Sequence, residues 1–420
     1  MTTDGPTPDD GLILVVGSGV QRYREYLLSS AGKHPVWLLD AAEPGWQLAH
    51  VTGHTVVPQL HPERMTPDVP ALVEAARQVA AERPVAGVMS YDETLVVATA
   101  HIAEALELPG LTVAGALNCR DKSRTRALLT QAGLVQPGFA FVTDLAAARE
   151  AAAGFGYPVV VKPRGMGASI GVVRVEDEAA LDSAFATAEQ AGRAGNPDFE
   201  GGVLVEEMLT GPEISIDGAV LNGEYRPMFV AHKSVGLEPY FEETGHTVSA
   251  DDPLLTDPVL LDTLERAHRA LGVSTGMTHT EVKFSSRGPA IVEVNARLGG
   301  DLIPYVGRLA TGIDPADVAV ETARGRAADL TPARIATVGI RFCYPPVDGT
   351  VAAVTLPAPG STPGLLEAEQ ITPDGAALRL PPGGYANLSR YALLVGEGPD
   401  PESCAAVLDA AQAASAVRLT

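Results

Sequence analysis

The run Gly11–Gly17 (GLILVVG) is apolar at every position between its two glycines, with no polar alternation. A strand of that pattern is buried on both faces, as in a parallel sheet covered by helices. A helical stretch follows, then Val36–Asp40 (VWLLD), a helix around Ala71–Arg83, and Val85–Ser90 (VAGVMS). Strands alternating with helices predict a doubly wound parallel sheet from residue 1 to about residue 110. Asp121–Gln131 (DKSRTRALLTQ) reads as a helix with Asn118 or Asp121 near its start.

The pattern then changes. Tyr157–Lys162, Gly171–Val175, Val203–Glu207 and Glu213–Val220 read as strands, and Glu178–Ala191 as one long Ala-rich helix. The Gly-, Asn- and Pro-rich segment Ala194–Gly202 is a loop, and Leu254–Leu271 is an amphipathic helix. Beyond about Thr331 the chain turns Pro/Gly-rich (FCYPPVDGTV, PPGGYANL), which predicts a small, mainly antiparallel end region.

Thr280–Gly300 (TEVKFSSRGPAIVEVNARLGG) holds two short apolar strands around a Ser-Ser-Arg-Gly-Pro turn, the chemistry of a hairpin. With the turn near Arg287, Glu281 lies across from Glu293. Alternation places Glu293, Asn295 and Arg297 on one face and Val292 and Val294 on the other. Like charges directly opposed on a sheet repel. Two carboxylates and an amide oxygen become favourable once a hard divalent cation sits between them. A solvated acidic surface pair is the competing reading; Arg297 and the glycines after it favour phosphate chemistry.

At 420 residues the chain is too long for one compact core. Its net charge of −22 argues against a nucleic-acid or acidic-membrane partner, though a single nucleotide needs only a few local cations. The first ten residues read as a short disordered tail without a signal core. No apolar run reaches the roughly 18 to 20 residues of a membrane span. Cys119, Cys343 and Cys404 are too scattered for a disulfide framework or zinc site. A soluble cytoplasmic protein is expected.

In Tyr157–Val173 (YPVVVKPRGMGASIGVV) a strand ends in Lys162, and the loop that follows holds Gly165, Gly167, Ser169 and Gly171. Glycines let backbone N–H groups approach an anion, and Lys162 adds a point charge for phosphate oxygens. A second strand follows the loop, where a Walker loop would lead into a helix. Val203–Glu213 (VLVEEMLTGPE) puts Glu206 and Glu207 at a strand end, one of them expected at a cleft edge. An NAD-dependent oxidoreductase is the rival reading, since Gly17-Ser-Gly19 follows a strand and Asp40 ends the next. However, Arg22 stands where the third glycine belongs.

Lys122, the Lys162–Gly171 loop, Glu206–Glu213, and Glu281 with Glu293-x-Asn295-x-Arg297 follow the layout of the ATP-grasp superfamily. Within it the chain resembles bacterial L-amino acid ligases, the group of the bacilysin-synthesis dipeptide ligase, most closely over Glu293–Asp314 (EVNARLGGDLIPYVGRLATGID). The resemblance implies an α/β ATP-grasp fold: a Rossmann-like parallel α/β domain at residues 1–115, an ATP-grasp domain at 116–330 with a mobile lid at 156–208, and a small β-rich domain at 331–420.

It further implies an ADP-forming ligase that makes an amide between a carboxylate and an amine through an acyl phosphate, using ATP and Mg2+, with Mn2+ able to substitute. Antibiotic biosynthesis is the metabolic setting it suggests. Lys122 and Lys162 would hold the ATP phosphates beneath the Gly165, Gly167 and Ser169 loop. Glu206, Glu207 and Leu209 would line the adenine hinge, with Glu213 at the ribose. Glu281, Glu293 and Asn295 would bind metal. Arg297, with Gly299 and Gly300, would hold the acid and its acyl phosphate. Glu243 and His246 resemble catalytic substrate-pocket residues, and Glu93 a carboxylate near the substrate amine. Lys233 would face the phosphates, and His279 would be structural. The implied partners are small molecules alone, without nucleic acid or membrane, and a homodimer is possible. A carboxylase or purine-pathway ligase of the same superfamily is the alternative.

Overall fold

The computed structural model describes residues 11–57, 67–196, 199–381, 383–384 and 386–420. The expected N-terminal tail lies outside the described residues. Leu12–Val16 is buried throughout and pairs in parallel with Val36–Asp40 on one side and Val85–Met89 on the other; Gly53–Val56 completes a four-stranded parallel sheet. The Gly17-Ser-Gly19 turn closes on itself: the Asp40 carboxylate accepts the Ser18 N–H at 3.1 Å and its hydroxyl, and also the Ala41 N–H at 2.7 Å. The acid that a dinucleotide ribose would need is therefore already bonded within the turn.

Aspartates set most helix starts, each accepting an orphan N–H of the first turn, a contact worth about 1 kcal/mol. Asp121, at φ −95° and ψ 101°, breaks Val113–Arg120 from Lys122–Gln131 and caps the second helix. Of the two expected cap residues Asp121 therefore serves, while Asn118 reaches across to the Leu271 carbonyl. The helix expected over Leu254–Leu271 begins later. Asp257 and Pro258 start it afresh after a 3-10 turn at Pro253–Thr256, because an Asp-Pro pair supplies a cap and a preset first residue. It buries Leu260, Leu264, Ala267 and Leu271, one face at helical spacing, against Ile214, Ile291 and Val294.

Two antiparallel sheets face each other across the cleft. The smaller holds Phe139–Val142, Val203–Glu207, Val159–Pro163 and Val173–Val175 in that order, backed by helices Leu145–Phe155 and Glu178–Ala194. The larger has eight strands: Gly288–Asn295, Gly276–Ser285, Glu213–Leu221, Glu224–Gly236, Glu242–Ser249, Thr337–Cys343, Ala392–Gly398 and Leu365–Gln370. Its last three strands come from the C-terminal region, so most of that region's β-structure continues the central sheet, and only Gly349–Thr355, Ala377–Leu378 and Ala416–Leu419 form a sheet of their own. No described helix is long and apolar enough to cross a membrane.

Candidate active site

The hairpin register pairs Glu281 with Glu293. It then shifts between Glu281 and Val282, which pairs with Ile291 and leaves Val292 as an extra residue. The bulge turns Val292 towards the cleft, whereas Val294 stays in the core as expected. Strict alternation could not have anticipated this. Asn295 and Arg297 keep the face assigned to them.

The cleft between the two antiparallel sheets has a volume of about 250 Å3. It is lined by Lys122, Lys162, the Met166–Ser169 loop, Glu206, Glu207, Leu209, Glu213, Glu242, Glu243, Glu281, Glu293, Asn295, Arg297 and Gly300, among others. The sequence-predicted residues are thus largely gathered in one place, but five, Lys233 among them, stand behind the wall. Gly165 carries no room for a side chain, since a Cβ would lie 2.4 Å from Phe199 Cβ. Gly299 packs on His279 and gives its N–H to Asp217 at 2.9 Å. Glu93 sits behind Arg297, its Oε2 2.6 Å from Arg297 Nε, while its Oε1 takes Arg120 at 3.0 Å. His246, buried, lies behind Glu243 at 3.2 Å and Asp301 at 3.7 Å, so any part it takes in a reaction passes through those carboxylates.

Carboxylates and cations interlock around the cleft. Lys122 Nζ donates to Glu293 at 2.9 Å and to the Met166 carbonyl at 2.6 Å. Lys162 meets Glu206 at 2.7 Å, and Arg126 clamps the same carboxylate at 2.7 and 3.3 Å. Burial would raise the Glu206 carboxyl, but Arg126 and Lys162 outweigh it and hold it at about 2. Lys162, desolvated and beside Arg126 and Lys122, is pulled below the usual lysine range. Of the two glutamates, Glu207 is the exposed one and pairs with Arg287 at 2.6 Å.

Lys233 does not point at an open phosphate site. Its ammonium is enclosed by Glu213 at 3.1 Å, Glu243 at 2.6 Å and Glu281 at 3.1 Å. Burial disfavours the charge, yet the three carboxylates hold the group well above the ordinary lysine value. Glu243, raised by burial but lowered more by Lys233 and His246, stands at about 2. His279, buried against Asp217, is pushed up to about 9. The Asn295 amide, with its nitrogen towards the acids, donates to Glu93 and Glu293, each at 3.2 Å. Arg297 also gives Nη1 to the Leu298 carbonyl at 2.6 Å, and among the described residues its Nη2 makes no hydrogen bond.

The glycine loop is tied down at its base. Arg164 O accepts the Lys122 N–H at 3.1 Å, Gly165 O accepts Arg120 at 2.9 Å, and Met166 O accepts Lys122 Nζ. Positive φ falls on Ala168, Ser169 and Gly171, while a Cβ on Gly167 would meet nothing within 4 Å. The turn therefore rests on Gly171 and two non-glycine residues, which glycine counting alone misses. Sequence reasoning also missed Arg120, Arg126, Arg390, Glu242 and Asp301. The arginines sit in helices or loops without motif glycines. Arg390 is drawn in from the C-terminal strands, where it binds Asp301 at 2.7 and 2.8 Å.

Glu281 and Glu293, opposed in register, and Asn295, once its amide turns its oxygen inward, would give an oxygen-only donor set, the chemistry of a Mg2+ site. Lysine ammonium groups balance both carboxylates here, as a cation between them would. Glu243, His246 and Asp301 also bring ligand atoms within 4.8 Å of one another, but Lys233 and Arg390 already bind the two acids.

A cleft between two antiparallel sheets, with a parallel α/β domain at its edge, defines the class. Residues 155–305 match the ATP-grasp domain family and residues 36–110 the ATP-grasp N-terminal domain. The chain thus carries an ATP-grasp domain together with the N-terminal domain that accompanies it. It is 28% identical over 281 residues to an alanine–anticapsin ligase of Bacillus subtilis, covering 62% of this chain and 58% of that one. The chain thus spans less than two thirds of that relative's length. It is 29% identical over 335 residues to a phosphoribosylamine–glycine ligase of Phenylobacterium zucineum, covering 71% and 74% of the two chains. The fold matches an L-amino acid ligase from Bacillus licheniformis at a TM-score of 0.79 and 24% identity, over 98% of this chain and 99% of that one.

Proposed function

We propose that this chain is an ATP-dependent ligase that joins a carboxylate to an amine through an acyl phosphate, with release of ADP and phosphate. One observation carries the reading: the opposed Glu281 and Glu293, with Asn295, open onto the same cleft as Lys122, Lys162 and Arg297. Its similarity to an alanine–anticapsin ligase over much of its length supports the same chemistry.

Glu281, Glu293 and Asn295 would hold Mg2+, which when bound neutralises charge on the phosphate oxygens. Lys122 and Lys162 then turn from Glu293 and Glu206 towards phosphate oxygens, an exchange of one anionic partner for another. Arg297 holds the acid through its remaining N–H groups while Glu93 fixes its plane; a planar fork suits a carboxylate as a point-charge lysine does not. The acid's oxygen attacks the γ-phosphorus and ADP leaves. The amine nitrogen then attacks the acyl carbon, phosphate leaves with that oxygen, and the amine's proton passes to solvent or a neighbouring base. Arg297 is placed to stabilise the oxyanion of that second step, where one donor is commonly worth about 3–4 kcal/mol. The Met166–Ser169 loop covers the phosphates and keeps water from the acyl phosphate.

The cytoplasm is the expected compartment, and a homodimer is compatible with the reading. A phosphate-release screen over pairs of amino acids, with mass spectrometry of the product, tests the proposal. Phosphate release that needs both an acid and an amine supports it. Release with bicarbonate alone would instead mean a carboxylase.

A further inference from the structure

Among the described residues eight carboxylates line the cleft, and seven have a basic partner within ion-pair distance. Glu206 has Lys162, Glu207 has Arg287, Glu213, Glu243 and Glu281 share Lys233, Glu293 has Lys122, and Asp301 has Arg390. The eighth is Glu242. It is only 7% exposed, and among the described residues its carboxyl makes neither a hydrogen bond nor an ion pair. An unpartnered carboxyl inside a folded protein is costly unless a ligand completes it.

We propose that Glu242 is a specificity-determining residue that binds a positively charged ammonium group of an amino-acid substrate. The inference rests on the ligase reading and names the chemistry of its substrate. Of the groups that must enter the cleft for that reaction, the triphosphate and the carboxylate are anionic. Apart from the Mg2+ that Glu281, Glu293 and Asn295 would hold, an ammonium group is the cationic one. Glu242 lies on the cleft wall within electrostatic reach of Arg390 and Asp301 and is largely buried, so an ammonium arriving there would be partly shielded from water. The nearby cations are already engaged. Arg390 binds Asp301, the Glu243 carbonyl at 3.0 Å and the Tyr344 hydroxyl at 2.8 Å, and Lys233 is enclosed by its three glutamates.

The charged and titratable groups facing Glu242 are Arg390, Asp301 and Glu243, with Tyr344 beside them. Burial raises its carboxyl over the opposing pull of Arg390, and Asp301 and Glu243 add to the rise, to about 7. Binding an ammonium favours the ionised form, so near neutral pH it should release a fraction of a proton, on the order of one half.

The test is Glu242→Gln, which keeps the shape and an acceptor oxygen but removes the charge, with Glu242→Asp as the conservative control. The expected result is a rise of roughly tenfold or more in KM for the amino acid, with KM for ATP and the melting temperature little changed and Glu242→Asp partly restoring affinity. KM for a carboxylic acid lacking the amino group should be unaffected. In the wild type, KM for the amino acid should climb as pH falls below about 7, and calorimetry in buffers of different ionisation heat should show proton release on amino-acid binding; both effects should vanish in Glu242→Gln. An active wild type whose Glu242→Gln form keeps its KM, pH profile and proton release would overturn this inference alone. A wild type that releases no phosphate with any acid and amine would overturn the ligase reading, and the inference with it.

Discussion

Arg297 Nε and Glu93 Oε2 stand 2.6 Å apart, one from the bend just after the Gly288–Asn295 strand and the other from the turn at the tip of the parallel sheet. The pair joins the N-terminal domain to the cleft wall. Arg120 extends it, linking Glu93 to the Gly165 carbonyl at the base of the glycine loop. One carboxylate therefore orients the proposed acid-binding arginine and, through Arg120, touches the loop.

Glu93→Gln should weaken that orientation while keeping the side chain's shape. The expected outcome is a fall of roughly tenfold or more in kcat/KM for the acid substrate, carried mainly by kcat, with KM for ATP changed less than threefold. Steady-state kinetics with each substrate varied in turn checks it. An equal loss in both KM values would mean that Glu93 matters only for the fold.

Glu293→Gln should raise the Mg2+ concentration for half-maximal activity by about tenfold or more and lower maximal turnover, because a carboxylate ligand becomes a neutral amide. It also removes the Lys122 partner, yet Lys122 keeps the Met166 carbonyl. A Mg2+ titration of ADP release reads the first effect, and thermal melting without metal separates it from unfolding.

Stability of the metal-free protein should fall at both ends of the pH scale. The Glu206 carboxyl is lowered from 4.5 to about 2, so its contribution is present above pH 4.5 and lost as pH drops towards 2. His279 is raised from 6.5 to about 9, so its contribution is full below pH 6.5 and lost as pH climbs to 9. Denaturant unfolding should show a plateau between these windows, with a loss of about 1–3 kcal/mol along the alkaline limb. His279→Gln should flatten that limb and leave the acid limb in place.

Much of the site was legible because its chemistry lies on regular elements. Period-two alternation and a turn signal were enough to oppose Glu281 and Glu293, and an apolar run between glycines was enough for the parallel sheet. What escaped depends on long-range packing. Arg126 is one of several basic residues on its helix, and nothing local says that it reaches Glu206 some 80 positions away. Arg390 comes from the far C-terminal strands to bind Asp301. The Val292 bulge changes the face of one side chain without altering composition. Glu242 was hidden by its neighbour: adjacent strand residues should face opposite ways, yet both Glu242 and Glu243 line the cleft. A register shift between Ser234 and Val235 interrupts the pairing of their strand.

The most direct measurement follows an oxygen atom. An amino-acid substrate labelled with 18O in its carboxylate is turned over with ATP and an amine, and the released phosphate is examined by mass spectrometry. Coupling through an acyl phosphate predicts one labelled oxygen in each phosphate, and loss of that signal along with turnover in Lys162→Ala. Unlabelled phosphate released alongside the coupled product would contradict the account, because the acid's oxygen would never have bonded to phosphorus.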